Sequence, residues 1–189
     1  MRAIIGSIEA EFRRAKTTAE RAIAQLSDDQ LHARGRPSDN SIAVILAHVA
    51  GNLASRFTDF KTSDGEKPWR RREEEFLPRT TSRAGLLGQW EGGWRILFGS
   101  LGQLDDADLS ATVTIRGEAM PVHEALHRSL AHAASHVGQV VYLAKALRGP
   151  DWIYLTIPPG GSDEFNRRLR EDAANRASEP ADARKPPTG

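Results

Sequence analysis

Apolar residues recur at helical spacing in four stretches of the chain. Ile4, Ile8, Phe12, Ala15, Ala19, Ala22, Ile23 and Leu26 predict a first helix over 3–26, ended by Ser27-Asp28-Asp29. Ile42-Ala43-Val44-Ile45-Leu46 opens a second, capped by Asp39 or Ser41 and running towards Phe60. It is apolar nearly all round, the mark of a buried helix. A third, capped by Ser82, carries Leu86, Leu87, Trp90, Trp94, Leu97, Leu101 and Leu104. Trp90 and Trp94, four apart, read as core residues. Pro121 precedes the last long helix, 122–147, which Gly149-Pro150 stops.

The connections differ in character. Residues 61–81 hold Asp64-Gly65, Pro68, Pro78, an arginine run at Arg70–Arg72 and a glutamate run at Glu73–Glu75, and read as a solvated loop with paired charges. Thr112-Val113-Thr114-Ile115 alternates, and with Gly117 and Ala119–Val122 it predicts a short hairpin. Beyond Trp152–Ile157 and Pro158-Pro159-Gly160-Gly161 a helical turn is expected near Asp163–Arg170, then a disordered tail over 171–189. The expected fold is all-α: an up-down four-helix bundle over 1–170, with a β-hairpin excursion before the fourth long helix.

At 189 residues, with 39% hydrophobic and 27% charged content, the chain suits one domain with a full core. A net charge of +1 gives no electrostatic reason to expect nucleic acid or an anionic membrane as partner. No apolar run reaches membrane-span length, and Met1–Glu11 mixes charges early, so a cytoplasmic location is expected. There are no cysteines, which excludes disulfides, thiolate ligands and a cysteine nucleophile.

The chemistry lies in the histidines. The last long helix carries His123 with His127, and His132 with His136. Each pair has the spacing that sets two imidazoles on one face, within reach of one metal ion. Six histidines in the chain would give only about 0.2 such pairs by chance. His123-Glu124-Ala125-Leu126-His127 is formally the zincin H-E-x-x-H pattern. Its context is wrong: the positions for a following glycine and third histidine hold Leu130 and Ala133, and no acid lies between Glu124 and Asp151. Periodicity alone leaves open which pair faces inward, because the two flank the apolar stripe on opposite sides. His48, in the apolar second helix, supplies a third ligand if one pair lies over it. Asn52, one turn on, stands where it would orient a ligand or contact substrate, or serves as a polar core residue.

Asn40 and Ile42–Asn52 resemble the second helix of the DinB/YfiT-like superfamily of metal-binding four-helix bundles, and His132–Gln139 resembles its HxxxH helix. Three further stretches, Ser55–Phe60 with Asp64–Trp69, Val113–Glu118, and Leu155–Pro158 with Phe165-Asn166, are similar to one branch of that superfamily, a domain-of-unknown-function family. The resemblance spans about residues 5–170. It implies His48, His132 and His136 as metal ligands, with His123 and His127 outside the triad. It implies zinc or nickel, homodimers in several members, and, in characterised relatives, transferases and isomerases that use low-molecular-weight thiols.

Three neutral imidazoles on a divalent ion leave room for water, giving hydrolysis, or for a thiol cosubstrate, giving transfer or isomerisation. Glu118, Asp59 and Glu164 are candidate general bases if the fold brings them near. Arg167, Arg168 and Arg170 belong either to a pocket for an acidic thiol or to a solvated terminal helix. The competing class is a non-catalytic stress or small-ligand-binding module in which the metal staples two helices.

Overall fold

The computed structural model describes residues 1–77 and 81–178, with side chains through Asn175. Its helices are α1 (Ala3–Ile23), α2 (Asp28–His32), α3 (Ile42–Phe57), α4 (Arg83–Gly102), α5 (Val122–Arg148) and α6 (Ser162–Ser178). Strands β1 (Thr112–Ile115) and β2 (Glu118–Pro121) pair antiparallel just before α5. The chain divides into two compact units, Met1–Trp152 and the remainder from Ile153.

The four long helices of the first unit stand where the apolar spacing places them. α1 buries Ile5, Ile8, Phe12, Ala19, Ala22 and Ile23, and α3 is buried on nearly every side, from Ile42 to Phe57. Trp90 and Trp94 are core residues, at 1% and 0% exposure. The Ser41 hydroxyl, not Asp39, caps α3 by accepting from Val44 N at 3.3 Å, and Ser82 caps α4 through Gly85 N. The first helix stops at Ile23, three residues early, because Ser27 and Gln30 form a capping box that starts the short α2.

The direction of the helices departs from the expected alternation. Arg83, opening α4, donates to the Leu26 carbonyl and to Asp28 beyond the end of α1. At the other end, Arg2 donates to the Leu101 and Leu104 carbonyls, where α4 finishes. α4 is therefore antiparallel to α1, and it runs parallel to α3, as the Lys61–Asp108 pair just past both helices shows. The long connection between α3 and α4 makes this order accessible, since it can return the length of a helix of about 30 Å. α5 then begins beside the end of α3: Gly65 N donates to the Thr114 carbonyl in the hairpin. It ends beside α2, where Gln30 Nε2 donates to the Leu147 carbonyl. α3 and α5 are antiparallel neighbours.

Residues 61–77 are not simply solvated. Lys67 and Glu75 are buried, and Arg72–Phe76 forms a 3-10 turn against α3. Pro78 lies outside the described residues. Asp64 ties this segment to the hairpin by accepting from Arg116 N and Gly117 N, at 2.9 and 2.8 Å. Those two residues form the turn and both have positive φ, 56° and 78°. In the second unit the expected turn near 163–170 is a longer helix, α6, reaching Ser178. Arg167 bridges Glu164 and Glu171 along it, and Arg168 pairs with Glu164. The rest of the expected tail, 179–189, lies outside the described residues. Among the described residues no helix is long and apolar enough to cross a membrane.

Candidate metal centre

α3 presents His48, and α5 presents His132 and His136 one turn apart. One ring nitrogen from each lies within 4.8 Å of the others, a group competent to hold a metal ion. Antiparallel packing of α3 on α5 selects this pair over the other. His123 and His127 are exposed, their rings 6.3 Å apart, and His123 Nδ1 is spent on the Leu109 carbonyl at 3.0 Å. The zincin pattern is thus a helix-edge coincidence.

The tautomers follow from the outer partners. His48 Nδ1 lies 2.9 Å from Glu75 Oε2. Burial opposes ionisation of Glu75, but hydrogen bonds from His48 and Arg70 hold its carboxyl below the usual range, so it is a carboxylate that accepts the Nδ1 proton. A neutral His48 then turns the lone pair of Nε2 towards His132 Nε2, 3.3 Å away. His136 Nδ1 is 2.9 Å from Gln139 Oε1, which accepts its proton and likewise leaves Nε2 as a donor to metal. A carboxylate or amide behind a ligating imidazole is the arrangement that fixes ring orientation in metal sites.

Burial, with His136 and His48 beside it, pushes His132 down to about 4, and burial also lowers His136. His132 therefore remains neutral near pH 7, as a ligand must be. Its Nδ1 is buried with no hydrogen-bond partner, so no outer group fixes its tautomer. Three nitrogen donors of this kind could hold a divalent metal ion.

Glu75 is the residue that the sequence reading misses. It stands at the end of a charge run taken as solvent-facing, yet it is 7% exposed and held by both nitrogens of the Arg70 fork at 2.9 Å. Space for it comes from Gly51 on α3: a Cβ there would fall 2.3 Å from Glu75 Oε1. Phe76, next in the chain, packs its ring on His48 at 4.8 Å between centroids. The one sequence signal was a glycine inside an otherwise apolar helix, which marks a close approach without saying what approaches.

A cavity of about 210 Å³ borders His48 and His132, and Asn52, Ser129 and Arg128 face it. Neither Glu118 nor Asp59 lines it; Asp59 borders a separate pocket with Gln103. Glu164 belongs to the second unit and is paired there with Arg167 and Arg168.

Comparison with curated proteins finds no match. Among solved structures, one described as the crystal structure of the conserved protein of locus from Enterococcus faecalis shares the fold. Its TM-score is 0.64 at 17% identity, over 78% of this chain and 98% of that one. Residues 2–161 match a family described as "Protein of unknown function (DUF1572)", and the chain belongs to that family.

Proposed function

We propose that this chain is a divalent-metal protein of the DinB/YfiT-like four-helix-bundle kind that uses His48, His132 and His136 to activate a low-molecular-weight thiol or water, in a transferase, isomerase or hydrolase reaction. The observation that carries it is the convergence of three imidazoles whose outer nitrogens are assigned, at two of three positions, to Glu75 and Gln139. A zinc or nickel ion bound there would lower the pKa of a thiol or water in its remaining position.

The protein's own groups do the rest. Glu75, anchored by Arg70, holds the His48 ring and keeps its proton on Nδ1. Asn52, one turn from His48, lines the cavity and would orient whatever enters. Among the described residues no carboxylate lines the cavity, so the nucleophile's proton would leave to solvent or to the substrate. The absence of cysteine fits a thiol supplied by a cosubstrate.

The second reading, a metal-stapled binding module, is supported by the same histidines joining α3 to α5. Cobalt(II)-substituted protein separates the two. With glutathione or 2-mercaptoethanol, wild type is expected to gain a sulfur-to-cobalt charge-transfer band that His136→Ala lacks. A spectrum unchanged by thiols, and no hydrolysis of activated esters, would favour the module.

A further inference from the structure

The cavity beside the histidines has a cationic end. Because α3 and α5 are antiparallel, positions after His48 on α3 lie level with positions before His132 on α5. Asn52 and Arg56 follow His48 at one and two turns; Arg128 precedes His132 by one turn, and all of them line the cavity. At 1.5 Å per residue these groups lie about 6–12 Å along the helix axes from the histidines. Arg116, in the hairpin turn, lines the same end.

The charges there do not cancel. Among the described residues, five arginines and no carboxylate line the cavity. Arg70 is matched by Glu75 and Arg72 by Glu73. Arg56 and Arg116 pair with Glu66, at 3.3 and 2.8 Å, with the Asp64 carboxylate nearby on the Arg116 and Gly117 amides, which leaves Arg128 as the lining arginine without a carboxylate. The Arg128 side chain makes no hydrogen bond or ion pair within the described residues. Arg116 also occupies a left-handed position, φ 56°, where asparagine or glycine is at ease and arginine is strained. Local folding does not call for arginine there. A cluster of like charge with low-dielectric walls attracts a counter-ion, and guanidinium forks match carboxylate and phosphate oxygens.

We infer that the cavity takes a small organic anion, with its carboxylate or phosphate held by Arg128 and Arg116, backed by Arg56, and its other end at His48 and His132, the two histidines that line it. What happens at the histidine end rests on the metal-centre reading above; the anion seat rests on the arginines alone.

Calorimetric titration at constant ionic strength tests it, with inorganic phosphate and with succinate as probes, on both zinc-loaded and chelator-treated protein. At least one probe is expected to bind one-to-one without metal, and which of the two binds tighter assigns phosphate or carboxylate. Arg128→Gln and Arg116→Asn should each weaken that binding tenfold or more with zinc stoichiometry unchanged. Arg116→Asn should also keep or raise the melting temperature, since asparagine tolerates the turn, so weaker binding there is not misfolding. No binding to metal-free protein, or binding indifferent to both variants, overturns the anion seat. Anion binding that persists in protein unable to hold zinc would uphold the seat and count against the metal centre.

Discussion

The two faces of α3 are built on opposite principles. Towards α4 the packing is close: a Cβ on Gly93 would fall 2.6 Å from the Ala50 carbonyl oxygen, and next along α4 Trp94 packs edge-on against Phe12 of α1. Towards α5 the same helix presents His48 and Asn52, an ion-paired Glu75 behind them, and an open cavity in front. The first face stabilises the fold by burying apolar area. The second sets buried polar groups together, which costs stability unless every one is satisfied. His132 Nδ1, buried without a partner, is where that condition is not met. Stability and function are therefore separable on the two sides of one helix.

Mutations that respect or cross this division sharpen it. Trp94→Ala, in the core against Phe12 and away from the histidines, is expected to cost about 3–5 kcal/mol in urea unfolding, while the protein that remains folded keeps its metal. Glu75→Ala leaves the Arg70 guanidinium, whose side chain is 2% exposed, without its carboxylate. It should cost about 3 kcal/mol by the loss of a buried pair and weaken metal binding about 10–100-fold. If metal affinity is unchanged, Glu75 is structural only. Gly51→Ala drives a methyl against Glu75. It should lower metal affinity in the same direction with a smaller loss of stability, because the carboxylate shifts rather than disappears.

A further effect concerns pH. His132 is held at about 4 in the fold by burial and by His136 and His48, whereas the unfolded imidazole titrates near 6.5. Between those values the unfolded chain binds more protons, so metal-free protein loses stability as pH falls from about 6.5 to 4, and this contribution is flat above that window. Urea midpoints should show the slope, and His132→Leu should flatten it. A wild-type profile already flat through the window would contradict a neutral, half-buried His132.

The same division explains what the sequence reveals. The close-packed side is legible because periodicity records burial: the helical stripes, the tryptophan pair and the caps at Ser41 and Ser82 all stand where they were expected. The hairpin is legible from its alternation and Gly117. The polar side is only half legible. Spacing shows two histidine pairs on one helix, but only the packing of α3 against α5 decides between them. Glu75 is hidden because its burial depends on Gly51 and Arg70, two residues that carry no joint signature. The Asp106 carboxylate that caps α1, accepting from Ala3, Ile4 and Ile5, comes from the far end of α4, where no local pattern points to it. Helix direction was lost for a similar reason: the connection between α3 and α4 is long enough to permit either order.

The central claim is the triad, and metal content tests it most directly. Elemental analysis of tag-free protein after zinc or nickel loading should find close to one ion per chain in wild type and in His127→Ala, and almost none in His48→Ala and His136→Ala. Metal lost in His127→Ala but kept in the other two, or no metal in any sample, would contradict the account.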